Sequence, residues 1–193
     1  MNTLDLSLRY TYADYLKWFD DIRRELFDGF VHAMSAPSVN HQKISGNLYA
    51  HLWNFLSDKN CQVFHAPFDV RLPKNGEKEN DKIYTVVQPD ICVICDLSKL
   101  DKRGCLGAPD LIIEIVSPKN SKRDVKDKFN IYQKSGVGEY WIVRPYDKTV
   151  EVFLLNEKGI YFSNGIYTKE DTVPVMLFKG ELGVNLAEVF KRI

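Results

Sequence analysis

No run in this chain approaches the ~18 apolar residues that a membrane-crossing helix requires. Its opening segment, MNTLDLSLRYTYADYLKW, lacks the basic start and apolar core of an export signal. A cytoplasmic protein without membrane contact is therefore expected. Net charge is also missing, since 26 Lys plus Arg balance 26 Asp plus Glu. Any nucleic-acid face must then come from local clustering rather than from the field of the whole molecule. Cysteine is sparse: Cys61, Cys92, Cys95 and Cys105 fall on apolar strands or a loop, which suggests reduced thiols in a reducing compartment. Residues three apart on a strand project to opposite faces, so Cys92 and Cys95 are expected to pack in the core rather than share a metal or a disulfide. No internal repeat, low-complexity tract or linker divides the chain, and a single domain over residues 1–193 is expected.

What the sequence does contain is a pair of acids in unusual places. Asp90 in Val-Val-Gln-Pro-Asp90-Ile-Cys-Val-Ile-Cys and Glu114 in Pro-Asp-Leu-Ile-Ile-Glu114-Ile-Val-Ser-Pro each sit in a run that lacks polar alternation, the pattern of an interior strand covered on both faces. A buried charge is costly unless it is paired, protonated or metal-bound. Two such acids on neighbouring strands suggest a divalent-cation site, and equally fit strand-end acids that reach solvent or hold a basic residue. Asp110 stands four residues before Glu114, roughly 13 Å along an extended strand, and is the weaker partner for it. Magnesium or manganese would take the carboxylates of Asp90 and Glu114 with a strand carbonyl such as that of Ile115, leaving positions for water and substrate.

Around these strands the pattern alternates between helix and sheet. Thr11 to Phe19 reads as a short amphipathic helix, and Asp28-Gly29 marks a tight hairpin within Arg24 to Met34. A longer helix runs from Pro37-Ser38 to about Ser57, with Ile44, Leu48, Leu52 and Phe55 at helical spacing. Strands are expected at Cys61 to His65, Phe68 to Leu72, Ile83 to Val87, Ile91 to Cys95 and Leu111 to Val116, with a polar loop over Pro73 to Lys82. Asn120 to Ser135 is helical and closed by Gly136. Glu139 to Arg144 and Thr149 to Leu155 form a second hairpin, and the tail offers short strands and a small helix from about Leu186. The fold class is α/β or α+β mixed: a central mixed β-sheet with flanking helices. Thr149 to Leu155, read as an apolar edge strand, makes a homodimer an expectation.

The helix after Glu114 carries Val125, Phe129 and Tyr132 on its inward arc, and Lys128 falls within that arc. Its ammonium would lie near the carboxylates, where it could orient water and counter phosphate charge; an Asp124 to Lys128 helical pair is the alternative. From Lys119 to Lys134 six basic residues (Lys119, Lys122, Arg123, Lys126, Lys128, Lys134) face two acids, Asp124 and Asp127. This local positive patch suits a phosphate backbone, although a solvated helix face has the same composition. The Asp28-Gly29 turn sets Glu25 across from His32, either as a cross-strand pair or with Glu25 supporting the metal centre. His41, near the start of the long helix, is a proton carrier or a packing histidine.

These segments together resemble a known family, the Uma-two type of restriction-endonuclease domain within the PD-(D/E)XK nuclease superfamily. The resemblance runs from Tyr12 to about Phe153. It rests on Glu25-Leu-Phe-Asp-Gly29, Ser38-x-x-His41, Gln88-Pro-Asp90, Pro109-Asp-Leu-Ile-Ile-Glu114-Ile-Val-Ser-Pro118, Asp124-x-x-x-Lys128-x-x-x-Tyr132 and Gly136-Val-x-Glu-Tyr-Trp141. It implies a central mixed sheet and a Mg²⁺- or Mn²⁺-dependent endonuclease acting on DNA, with the metal at Asp90 and Glu114 and with Glu25 and His41 in matching segments. In the superfamily pattern a lysine stands two residues after the second acid, where this chain has Val116. Cleavage then requires Lys128, reaching from the following helix, to take its place. A catalytically silent nuclease-like fold that binds nucleic acid or protein is the competing expectation.

Overall fold

A computed structural model describes residues 4–117 and 122–193, without the side chains of residues 122–124. Its elements follow the hydrophobic pattern closely. In chain order they are α1 (Tyr12–Tyr15), β1 (Arg24–Phe27), β2 (Phe30–Ala33), α2 (Val39–Leu56), β3 (Gln62–His65), β4 (Asp69–Arg71), β5 (Val86–Val87) and β6 (Ile91–Ile94). Then come β7 (Leu100–Asp101), β8 (Gly104–Leu106), β9 (Leu111–Ile115), α3 (Lys122–Ser135), β10 (Glu139–Arg144), β11 (Thr149–Leu155), β12 (Tyr161–Thr168), β13 (Thr172–Pro174), β14 (Gly183–Asn185) and α4 (Leu186–Val189).

The central sheet has the order β12-β11-β10-β9-β6-β3, with β9 and β10 parallel and the remaining pairs antiparallel. A second sheet, β2-β1-β5-β4-β8-β7, lies beside it. Alternation sorts each central strand between two cores. Leu111, Ile113 and Ile115 of β9 join Trp141 and Val143 of β10 beneath Ile44, Leu48 and Leu52 of α2. Ile112, Tyr140 and Ile142 face the other way, against Tyr132 and Phe129 of α3 and Val70 and Val87 of the second sheet. Burial on both faces is why these strands read as unbroken apolar runs.

Local chemistry sets the entry to the site. The β1–β2 hairpin turns on Asp28 and Gly29, both at positive φ (51° and 89°), the signature of a type I′ turn. A Cβ on Gly29 would stand 3.1 Å from the Tyr10 carbonyl oxygen, so glycine is needed there for space as well as conformation. Ser38 caps α2 by accepting from the His41 amide, which holds His41 at the first turn.

Three expectations change. The first helix is a single turn, closed by a Thr11/Asp14 capping box and ending at Leu16. Thr149–Leu155 is not an edge strand, because β12 pairs along its whole length; the polar, glycine-containing sequence of β12 conceals eight residues of strand, and pairing of two copies through β11 is ruled out. Cys61 and Cys95 are not free thiols but form a disulfide. Gln62 pairs with Ile94 across β3 and β6, so the two cysteines just beyond them stand opposite each other, a pairing that sequence separation conceals. Cys92 and Cys105 are free and buried, and Cys92 does face away from Cys95. Unfolded without reductant, the protein should release two titratable thiols rather than four. Four would remove the bridge, whose closed loop is worth about 3–4 kcal/mol by chain entropy.

Candidate active site

Strand register brings the two acids together. Ile91 of β6 lies opposite Ile113 of β9, so one further step sets Asp90 opposite Glu114. Alternation turns Glu114 away from α2 and toward α3, on the same face as Ile112. Asp90 stands just ahead of β6, where its Oδ2 accepts from the Ile115 amide at 2.8 Å and meets His41 Nε2 at 3.1 Å. Asp110 is at the opposite end of β9, where it accepts from the Cys95 amide at 2.7 Å; it takes no part in this cluster.

The remaining groups arrive from α3 and β1. Lys128 Nζ lies 3.0 Å from Glu114 Oε1 and 3.0 Å from Glu25 Oε1. One turn further along α3, the Tyr132 hydroxyl donates to Glu114 Oε1 at 2.5 Å. Glu25 Oε1 also accepts from the Gln88 amide at 2.8 Å. Glu25 and His32 are opposite in register, yet their side chains part: the His32 ring stacks on Phe27 at 4.1 Å and the carboxylate turns inward to Lys128. Sequence reasoning thus names Asp90, Glu114, Lys128, Glu25 and His41, and the structure gathers all five. That reasoning sets Tyr132 on the inward arc of the helix but gives it no part in the site, although its place four residues after Lys128 on one helix face was the available signal. Of the basic segment, Lys126 is exposed on α3. Lys119 and the side chains of residues 122–124, which include the nucleic-acid candidates Lys122 and Arg123, lie outside what is described.

Electrostatically the cluster holds more acid than base, with Asp90, Glu114 and Glu25 against Lys128 and His41. Burial pushes the Glu114 carboxyl up to about 8; the Lys128 ammonium works against that, Asp90 and Glu25 add to it, and the Tyr132 hydrogen bond opposes it. Burial also disfavours the charge on Lys128, but Glu114, Glu25 and Asp90 outweigh it and hold that pKa well above the ordinary value. His41 follows the same pattern: burial lowers its pKa, but the Asp90 hydrogen bond and charge together with Glu114 outweigh that and the smaller opposing effect of Arg23, for a net rise.

Glu25 and Glu114 share one ammonium, and Asp90 beside them is held by His41; once all three acids are ionised they exceed the two bases, a surplus of negative charge that a hard divalent cation would relieve. Among the described residues no three Asp, Glu, His or Cys side chains form a ready-made metal cage. Magnesium ordinarily takes one or two carboxylates and completes its shell with water and substrate oxygens. Asp90 Oδ1 and Glu114 Oε2 accept no hydrogen bond among the described residues, each acid being held by its other oxygen. The donor set therefore fits such an ion.

A central mixed sheet covered on both faces, with Asp90 and Glu114 opposite each other at β6 and β9 and Lys128 of α3 between Glu114 and Glu25, is a restriction-endonuclease-like arrangement. The chain belongs to the Uma2 family, described as "Putative restriction endonuclease", which it matches over residues 12–187. It is 27% identical over 149 residues to the uncharacterized protein slr1290 of Synechocystis sp., covering 76% of this chain and 74% of that one. Its fold is similar to the crystal structure of "a putative nuclease belonging to DUF820" from Anabaena variabilis, with a TM-score of 0.74 at 19% identity, over 94% of this chain and 97% of that one. No helix among the described residues is long and apolar enough to cross a membrane.

Proposed function

We propose that this protein is an endonuclease that hydrolyses DNA phosphodiester bonds with a divalent cation, Mg²⁺ or Mn²⁺, held by Asp90, Glu114 and the main-chain carbonyl of Ile115. The cluster of Glu25, Lys128 and Glu114, with Asp90 set opposite Glu114 by strand register, is the observation that supports this reading, and membership of a family described as "Putative restriction endonuclease" agrees with it. Such a cation would lower the pKa of a bound water and offset charge on the phosphoryl oxygens. Lys128 stands in for the lysine missing at Val116, and its ammonium orients the attacking water and meets the developing negative charge. Glu25 and Glu114 hold that ammonium from either side. The Ile115 amide and His41 fix Asp90, and His41, protonated more readily than a free imidazole, can pass a proton to the departing oxygen. Lys119, Lys122, Arg123 and Lys126 follow Glu114 in the chain as phosphate-backbone contacts.

One observation favours a second reading. The Lys128 ammonium already bridges Glu25 and Glu114, as it would in a silent nuclease-like module that binds nucleic acid or protein. Supercoiled and linear DNA incubated with Mg²⁺ or Mn²⁺ separates the two. Cleavage should appear with wild type, vanish in EDTA, and fall by at least ~10³-fold in Asp90→Ala and Glu114→Ala, as expected when a group needed to stabilise the transition state is removed. No cleavage by wild type, or equal cleavage by both variants, rejects the nuclease.

A further inference from the structure

Arg23 is the residue beside the cluster that nothing so far employs. Its carbonyl accepts from the Met34 amide, which extends the β1–β2 pairing by one step past Arg24↔Ala33. It therefore projects to the same side as Glu25, two residues on. Both Nε and Nη2 of its guanidinium donate to Gln88 Oε1, at 3.1 and 2.9 Å. Gln88 is itself clamped, because its Nε2 donates to Asp69 Oδ1 at 2.9 Å and to the Tyr15 hydroxyl at 3.2 Å, while its amide holds Glu25. Gln88 thus ties the guanidinium rigidly to the site.

Among the described residues Arg23 has no carboxylate partner, although its charge is felt at His41. Arg23 and Gln88 line a hollow of about 230 Å³ together with Tyr15 and Trp18. Of the two acids that also line it, Asp20 is paired with Arg24 and Asp21 is exposed. A half-buried arginine that is held by a neutral amide keeps its full charge for an outside anion, and its planar fork suits a phosphodiester.

We propose that Arg23 grips a backbone phosphate of the bound nucleic-acid strand next to the reacting one, with Gln88 as the positioning residue that aims the guanidinium. This subsite rests on the nuclease reading above. It accounts for why a chain of zero net charge carries, beside its acid cluster, a guanidinium with no carboxylate partner among the described residues, where a polyanion must otherwise overcome repulsion.

The test is binding of a short fluorescein-labelled DNA duplex, followed by anisotropy in Ca²⁺ over a range of salt, together with steady-state cleavage in Mg²⁺. Arg23→Gln should bind about tenfold more weakly near physiological salt and lower the slope of log affinity against log salt by ~1. Its KM should rise while kcat changes by less than ~2-fold. Arg23→Lys keeps the charge and should recover the salt slope but only part of the affinity, since an ammonium cannot reproduce the fork. Gln88→Leu should weaken binding and raise KM with the slope preserved, a pattern that a merely structural role would not give. Melting temperatures close to wild type identify the variants to be compared, and Arg23→Lys decides the matter if Arg23→Gln unfolds. If wild type binds and cuts while the Arg23 variants match it in affinity and slope, the subsite is wrong and the nuclease stands. If wild type neither binds nor cuts, both fall together.

Discussion

Replacing Lys128 with Met should destabilise the protein by about 3–5 kcal/mol at pH 8, the range measured when one partner of a buried ion pair is removed. For a domain of this size that is a fall of roughly 10 °C in melting temperature. Methionine matches the lysine stem in length and packs beside Phe129 and Tyr132, so little of the loss is cavity. What remains is electrostatic, because Glu25 and Glu114 would face each other with no cation between them. Protonation offers relief, and Glu114 is already biased toward it; the deficit should accordingly shrink toward pH 5. A second change, Glu114→Gln in the Lys128→Met background, removes one of the stranded charges and should restore most of the stability, whereas independent sites would simply add. Urea unfolding of the four proteins measures the cycle. A loss under ~1 kcal/mol for Lys128→Met would mean that the ammonium does not hold Glu25 and Glu114 in the folded protein.

The legibility of the fold and site followed the range of the forces involved. The central strands β6, β9 and β10 could be read because burial on both faces writes near-continuous apolar runs, β11 because its apolar residues alternate with Thr149 and Glu151, and α2 and α3 because their apolar residues recur at helical spacing. Asp90 and Glu114 stood out for the same reason, as charges where the pattern tolerates none. Lys128 could be aimed at them by helical phase alone. Other features depended on which strands are neighbours, and that is set by long-range packing. The Cys61–Cys95 bridge requires β3 beside β6, and the loss of β11 as an edge requires β12, whose surface-exposed side chains follow no strong pattern. Gln88 was visible in Gln-Pro-Asp yet had no assignable role, because Glu25, Asp69 and Arg23 reach it from 63, 19 and 65 residues away.

Glu114 also gives the site its expected pH signature. Its folded pKa, raised to about 8 chiefly by burial, lies above the unfolded value near 4.5, so between those limits the folded protein binds more protons than the unfolded chain. In the absence of a divalent cation this group's contribution to stability is then fully present below pH ~4.5, declines with rising pH by at most about 1.4 kcal/mol per unit, and is exhausted above pH ~8. Glu114→Gln has no proton to exchange and should lose that slope. A cation needs the ionised carboxylate, so binding should expel the proton: Mg²⁺ or Mn²⁺ affinity should rise up to tenfold per unit from pH 6 to 8 and level off beyond. Thermal shift against cation concentration reads this directly, since a ligand of the folded state raises stability once it exceeds its dissociation constant. At a fixed millimolar concentration the upward shift should grow with pH in wild type and be absent in both Glu114→Gln and Asp90→Asn. Calorimetry in buffers of different ionisation enthalpy should register about one proton released per ion at pH 7. A cation shift that is independent of pH, or that survives in Glu114→Gln, would move the metal away from this carboxylate and leave Lys128 as the only cation these acids are built to hold.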